Sequence, residues 1–224
     1  MLILGAMLQN SIGFGLGLLC APIFMHFAPE LVPATMILNS LFVTSLVCYK
    51  NKASIQLCNF SFATFGGVIG IFAAGATAAF VAPEIYRLIF GVIILSAVAL
   101  SVKGFNFKIK PSSSILAGAA SGFMGTLTSA GGAPMGLLYQ NSQQKLIKAN
   151  LNAFFVIINL LGLISLYIAN LVTMQDFVNS LYCIPALIIG WYAAAWVKFN
   201  DKSNRLKNFI LSITAFAGVS ILFS

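Results

Sequence analysis

The sequence predicts an all-α polytopic membrane protein built from two inverted-topology repeats, each a re-entrant helical hairpin followed by three transmembrane helices, about eight hydrophobic segments in all. Three observations predict it: the chain is very apolar, its basic residues become one-sided in only one topology, and a motif order recurs at half the chain length. Hydrophobic residues make up 60% of the 224 and charged residues 7%, against roughly a quarter charged in a soluble domain. With a mean hydropathy of +0.99, the chain has too little polar material to cover a water-facing surface. Uncharged stretches run over 31–49, 57–82, 88–102, 151–175 and 177–197, most of them long enough for a hydrocarbon core of about 30 Å. The 88–102 stretch reaches that length only with Tyr86 and Arg87 at the interface.

In chain order, eight apolar blocks begin near Leu2, Leu31, Leu57, Tyr86, Ser114, Lys148, Phe177 and Lys207. The first, "MLILGAMLQNSIGFG", has neither the basic start nor the small-residue cleavage site of a signal peptide, so it is expected to belong to the mature chain. If every block crosses once, Arg87, Lys145, Lys148, Lys198, Lys202, Arg205 and Lys207 face one side and Lys50, Lys52, Lys103, Lys108 and Lys110 the other. Lys and Arg of short loops concentrate instead in the cytoplasm. Letting the first and fifth blocks enter, turn and leave by the same face puts eleven of the twelve basic residues inside and only Arg87 outside, with the N-terminus outside.

Each of those two blocks, 2–27 and 113–140, has the length of two half-helices of about a dozen residues at 1.5 Å rise. Each carries a central interruption, "NSIGFG" in the first and "GTLTSAGG" in the second, and then an Ala-Pro pair at Ala21-Pro22 and Ala133-Pro134. These pairs are 112 positions apart, as are Gly13 and Gly125. With one inserted residue, "MILNSLFV" at Met36 then aligns with "ANLNAFFV" at Ala149, matching Asn39 with Asn152. Three crossings per half invert the second half relative to the first, a frequent transporter architecture. The expected organisation is a first membrane repeat over 1–102, a basic cytoplasmic linker over 103–112 and a second repeat over 113–224.

Non-helical backbone inside hydrocarbon must find partners for its amides and carbonyls, so it is expected only where it lines a site. Gly131 and Gly132 permit close approach, with Thr126, Thr128 and Ser129 offering hydroxyls beside them. A half-helix starting near Pro134 would aim its positive N-terminus at the hairpin tip. Asn10, Ser11, Gly13, Phe14 and Gly15 ahead of Pro22 repeat the arrangement, and two such ends make an anion site. The four acidic residues, Glu30, Glu84, Asp176 and Asp201, fall at segment ends or in loops, leaving no carboxylate for a central cation or proton site. His26, the single histidine, is placed at a helix end near the outer mouth.

Asn39 and Asn152 are expected to line the site or to bond between helices. Lys145 and Lys148 anchor topology or draw anions to the inner vestibule. Gly66, Gly67, Gly70, Gly118 and Gly122 read as close-packing positions, Trp191 as packing, and Trp196 as an interface residue. Cys20, Cys48, Cys58 and Cys183 lack metal-ligand spacing and read as small buried hydrophobes, so neither metal nor cofactor is expected.

The two hairpin stretches, "SIGFGLGLLCAPIFMHFAPELVPATMILNSL" and "GAASGFMGTLTSAGGAPMGLLYQNSQQKLIKANLNAFFVIINLLGL", resemble the sulfite exporter TauE/SafE family over essentially the whole chain. The resemblance implies a secondary transporter of small organosulfur or sulfur oxyanions in a bacterial inner membrane. Gly13, Gly15, Pro22, Gly125, Gly131, Gly132 and Pro134 fall at the characteristic hairpin positions, and Lys148 at the basic position before the second-half helix. The chain departs from the pattern in a less dense glycine cluster and in uncharged residues over 34–37. Expected partners are a small anion and the lipid bilayer, with a homodimer left open and no nucleic acid. The competing classes are a non-transporting membrane assembly factor and a carrier of another metabolite or ion. An enzyme is disfavoured because the chain has no HExxH pair and no nucleophile-base constellation.

Overall fold

The computed structural model describes the backbone of residues 1–103, 109–196 and 204–222, and the side chains of these except 57–59, 83, 103, 144, 195–196 and 204–210. Lys108, Lys198, Asp201 and Lys202 lie outside the described residues, as do the side chains of Cys58, Lys103, Trp196, Arg205 and Lys207. Ten α-helices are described: α1 (Leu2–Ile12), α2 (Leu16–Phe27), α3 (Ala34–Asn51), α4 (Leu57–Phe80), α5 (Pro83–Lys103), α6 (Pro111–Thr128), α7 (Gly132–Tyr139), α8 (Gln144–Ile168), α9 (Met174–Trp196) and α10 (Asn204–Leu222). Among the described residues, four stretches are long and apolar enough to cross a membrane: Phe60–Phe80, Glu84–Val102, Lys145–Ile168 and Met174–Ala194. Phe72, Phe80 and Phe216 stand 73%, 89% and 79% exposed, an outer surface suited to lipid rather than water.

The first and fifth apolar blocks are each two helices. At 1.5 Å per residue, α1 and α2 reach only about 17 and 18 Å, and α7 about 12 Å, so none of the three spans the hydrocarbon alone. The interruptions are shorter than the sequence suggests. Asn10, Ser11 and Ile12 complete α1, and Gly125 to Thr128 complete α6, leaving breaks only at Gly13–Gly15 and Ser129–Gly131. The first break needs glycine, with Gly13 at φ 99° and Gly15 at φ 129°, a region that side-chain-bearing residues avoid. In the second, Ser129 takes the left-handed conformation at φ 59° and donates its amide to Gly125 O at 2.8 Å.

Two further differences follow. The second pair is unequal, with 18 residues in α6 and 8 in α7, and α6 begins at Pro111, inside the stretch assigned to the linker. Structurally the breaks lie 116 positions apart rather than 112. That is a slip of one helical turn, which leaves the same face forward and so is hard to see in an apolar pattern. Pro134 is the third residue of α7, where a missing amide costs no helix bond. Pro22 is the seventh residue of α2, where it cannot bond to Leu18 O. Thr214 Oγ1 on α10 donates to that carbonyl at 3.2 Å instead.

Packing is closest between α4 and α6. A Cβ added to Gly66, Gly70, Gly118 or Gly122 would stand 1.9–2.2 Å from the facing carbonyl of Ile115, Ala119, Ala63 or Gly67, so these glycines let the two backbones touch. The wider contact scheme has a regular form. Helix α6 packs on α4 as α1 packs on α9, α7 on α5 as α2 on α10, and α8 on α4 as α3 on α9, while α3–α8 and α5–α10 close the bundle. Exchanging α1–α5 with α6–α10 carries this set of contacts onto itself.

Candidate functional site

Each break exposes the carbonyls that end one helix and the amides that begin the next, and each is rebuilt by buried side chains. At the first, Gln9 reaches forward from the last turn of α1. Its Nε2 donates to Gly13 O at 3.0 Å and to Asn152 Oδ1 at 3.1 Å, while its Oε1 accepts a long bond from Leu16 N, the first amide of α2, at 3.4 Å. Asn152 on α8 donates from Nδ2 to Lys148 O at 2.8 Å and to Gly13 O at 3.4 Å. A Cβ at Gly13 would face Lys148 Cα at 3.4 Å, so this break is seated on the backbone of α8.

At the second break the Thr128 hydroxyl donates to Met124 O at 2.7 Å and accepts Ala130 N at 3.2 Å. Ser121 Oγ donates to Gly131 O, and the Tyr86 hydroxyl on α5 donates to Leu127 O. Ser129 Oγ donates to Pro33 O, just before α3, at 3.2 Å.

The two breaks meet. A Cβ at Gly17, in the first turn of α2, would lie 1.6 Å from Ser129 O. From the first break the Phe14 ring lies over Gly132 and Gly136 of α7, where added Cβ atoms would come within 2.8 and 2.7 Å of it. Between them is a cavity of about 20 Å³, room for about one water molecule. The first break contributes Gln9, Phe14, Gly15 and Gly17; the second contributes Ser121, Gly125, Ser129, Gly131 and Gly132. Leu18, Phe155 and Ile158 form an apolar wall, and Ser40 on α3 and Asn159 on α8 a polar one, with Asn159 Nδ2 donating to Ser40 Oγ at 3.2 Å.

The N-caps of α2 and α7, Gly15 and Gly131, both border this space. Each helix start carries a partial positive charge near +0.5, partly offset by the opposite ends of α1 and α6 at the same breaks. Carbonyls at those ends are covered, Gly13 O by Gln9, Leu127 O by Tyr86 and Met124 O by Thr128, and among the described residues no ionisable side chain lines the cavity. Asp176, the one carboxylate among the buried polar residues described, is occupied elsewhere. Its oxygens accept Thr35 Oγ1 at 2.9 Å, Thr173 N at 2.9 Å and Thr173 Oγ1 at 2.8 Å, joining the start of α9 to that of α3.

Of the residues singled out in the sequence, Gly15, Gly125, Ser129, Gly131 and Gly132 line the cavity. Gly13 and Asn152 stand one layer behind, through Gln9. Others are placed elsewhere. Asn10 Nδ2 donates to Trp191 O at 2.8 Å, and Ser11 is buried outside the lining. Asn39 accepts Ser180 Oγ of α9 at 2.9 Å. Thr126 Oγ1 faces α8, 3.1 Å from a Cβ built at Gly162, and Thr128 is used up within the break. Lys145 is exposed and Lys148 half-buried. His26 is exposed in the last turn of α2, edge-on to the Phe27 ring. Gln9, Gly17 and Ser40 were not singled out; an amide one turn before a Gly-x-Gly interruption is the signal that would have marked Gln9. Among the described residues no group of His, Cys, Asp or Glu gathers to hold a metal.

A protein-family model described as sulfite exporter TauE/SafE matches residues 1–221 of this chain. No curated protein and no solved structure matches it.

Proposed function

The chain belongs to the sulfite exporter TauE/SafE family, and on that premise we propose that it is a secondary-active permease moving sulfite, sulfonates or related organosulfur anions by alternating access. Family membership and the apolar helices make it a multi-pass membrane protein with a role in small-anion transport rather than an enzyme. The finer proposal rests chiefly on one observation: the starts of α2 and α7, one from each half, converge on a cavity whose described lining is uncharged, polar on one wall and apolar on another. Helix starts attract anions through their free amides and dipole. In this proposal the two broken pairs are re-entrant hairpins from inverted repeats, the substrate sits between their tips, and the interchangeable packing scheme lets the halves trade open faces. At about 20 Å³ the cavity must widen to admit an anion, as a change between open faces would allow.

The direct test is flux of sulfite and of a simple sulfonate into proteoliposomes containing the purified protein. Flux above protein-free vesicles is expected; a folded, reconstituted protein that moves no anion would remove the proposal. We further propose that the basic loops are cytoplasmic and the N-terminus outside, in a bacterial inner membrane. Single cysteines introduced at Ala28 and Gln143 of a cysteine-free variant should then label from opposite faces, outside and inside respectively. Labelling of both from one face would rule that topology out.

A further inference from the structure

We infer that the cavity selects substrate by charge, accepting monoanions and rejecting dianions of the same size. The inference rests on the transport proposal above and concerns the charge state of what is carried. Every group lining the cavity among the described residues is neutral: backbone of Gly15, Gly131 and Gly132, hydroxyls of Ser40 and Ser129, and the amide of Asn159. Asn159 Nδ2 has a second hydrogen beyond the one it gives to Ser40 Oγ, and Ser40, as acceptor in that bond, keeps its own proton to donate. Gln9 has both Nε2 hydrogens committed to Gly13 and Asn152, which makes it a positioning residue rather than a donor to substrate.

The available positive charge is therefore dipolar, at most about half a unit from each of two helix starts, and the opposite ends of α1 and α6 at the same breaks reduce it further. Doubling the charge of a bound ion doubles its attraction to those dipoles. The cost of removing it from water rises with the square of the charge, about fourfold, and in a narrow, partly apolar site that cost dominates unless full counter-charges are present. Among the described residues no such counter-charge borders the cavity. On the surrounding helices, Lys148 of α8 sits behind Gly13, Tyr86 of α5 is bonded to Leu127 O, Tyr139 ends α7, Cys20 of α2 lies against Gly5, and Asp176 of α9 is tied to Thr35 of α3. None of these lines the site. The wall of Leu18, Phe155 and Ile158 further disfavours an ion that needs hydration on every side.

The test uses wild-type protein in proteoliposomes and two comparisons. Methanesulfonate and sulfate have nearly the same size and shape but differ by one charge, and methanesulfonate flux should exceed sulfate flux by about tenfold or more. Bisulfite and sulfite differ only by a proton exchanged near neutral pH. Flux of total sulfite should therefore fall as pH rises through that transition, while methanesulfonate flux stays level and controls for titration of the protein itself. Sulfate flux equal to that of methanesulfonate, or sulfite flux that rises with pH, would overturn the charge rule and leave the transport proposal standing. Absence of flux for every anion would remove both.

Discussion

Replacing Gly17 by alanine is expected to lower anion flux by about a hundredfold or more, since displacing a functional constellation by about 1 Å typically costs that much. The new Cβ would fall 1.6 Å from Ser129 O and 2.5 Å from Ser129 C. Both are backbone atoms of the second break, so no rotamer change relieves the contact. The α2 start or the Ser129–Gly131 segment must retreat until the atoms reach van der Waals separation, and that pulls apart the two helix starts whose convergence makes the site. Ser129 cannot retreat freely, because its Oγ is held by Pro33 O and its amide by Gly125 O. Overpacking of this kind also costs about 1–3 kcal/mol of stability, readable as a fall in the thermal midpoint. Gly125→Ala is the matched control. A Cβ there would lie 3.5 Å from Gly131 Cα, an ordinary contact, and alanine in the last turn of a helix is favoured over glycine. That variant should keep a thermal midpoint near wild type, so a fall in Gly17→Ala reports the backbone collision rather than the loss of a glycine. Wild-type flux from Gly17→Ala would show that the contact between the breaks does not shape the site.

The expectations that held came from signals with strong physical causes. Charge-free stretches mark helices whatever their packing, and Gly13 and Gly15 mark a break because the backbone there has positive φ. The broader "GTLTSAGG" interruption narrows to Ser129–Gly131 in the structure because hydroxyl-rich residues do not by themselves end a helix. Thr128 turns its hydroxyl onto Met124 O, four residues earlier, without leaving the helix. The same bond explains why a residue that looks like a ligand is spent inside the break. Pro22 misled in another way. An Ala-Pro pair looks the same in the third or the seventh position of a helix, and what permits the seventh is Thr214, 196 positions away in the chain. Long-range partners of this kind also decide the polar residues. Nothing local distinguishes Asn152, which reaches the first break, from Asn39, which meets Ser180 on α9. Their alignment in the repeat is visible; which neighbour each finds is a tertiary fact.

Gln9→Leu is expected to destabilise the protein by about 2–5 kcal/mol, because it leaves buried polar atoms with fewer partners at about 1–3 kcal/mol each. Leu16 N loses its side-chain acceptor, Asn152 Oδ1 loses the Nε2 donor, and Gly13 O keeps only the longer bond from Asn152. Gln9 is 3% exposed, so water does not readily replace what is lost. A fall in the thermal midpoint alone would not separate a structural role from one in organising the anion site, and Gln9→Glu supplies the separation. Glutamate has nearly the same shape and keeps an acceptor for Leu16 N, but it places a carboxylate beside the α2 start and the cavity. Its second carboxylate oxygen, however, faces Gly13 O and Asn152 Oδ1, both acceptors, so the fold loses at least as much as with leucine, while the same charge neutralises the dipole that a substrate anion needs and repels the anion directly. Compared at temperatures equally far below each variant's own thermal midpoint, flux should therefore be lower in Gln9→Glu than in Gln9→Leu. If flux in the two variants instead follows the thermal midpoint, Gln9 only holds the break together, and the electropositive start of α2 is not what the anion senses.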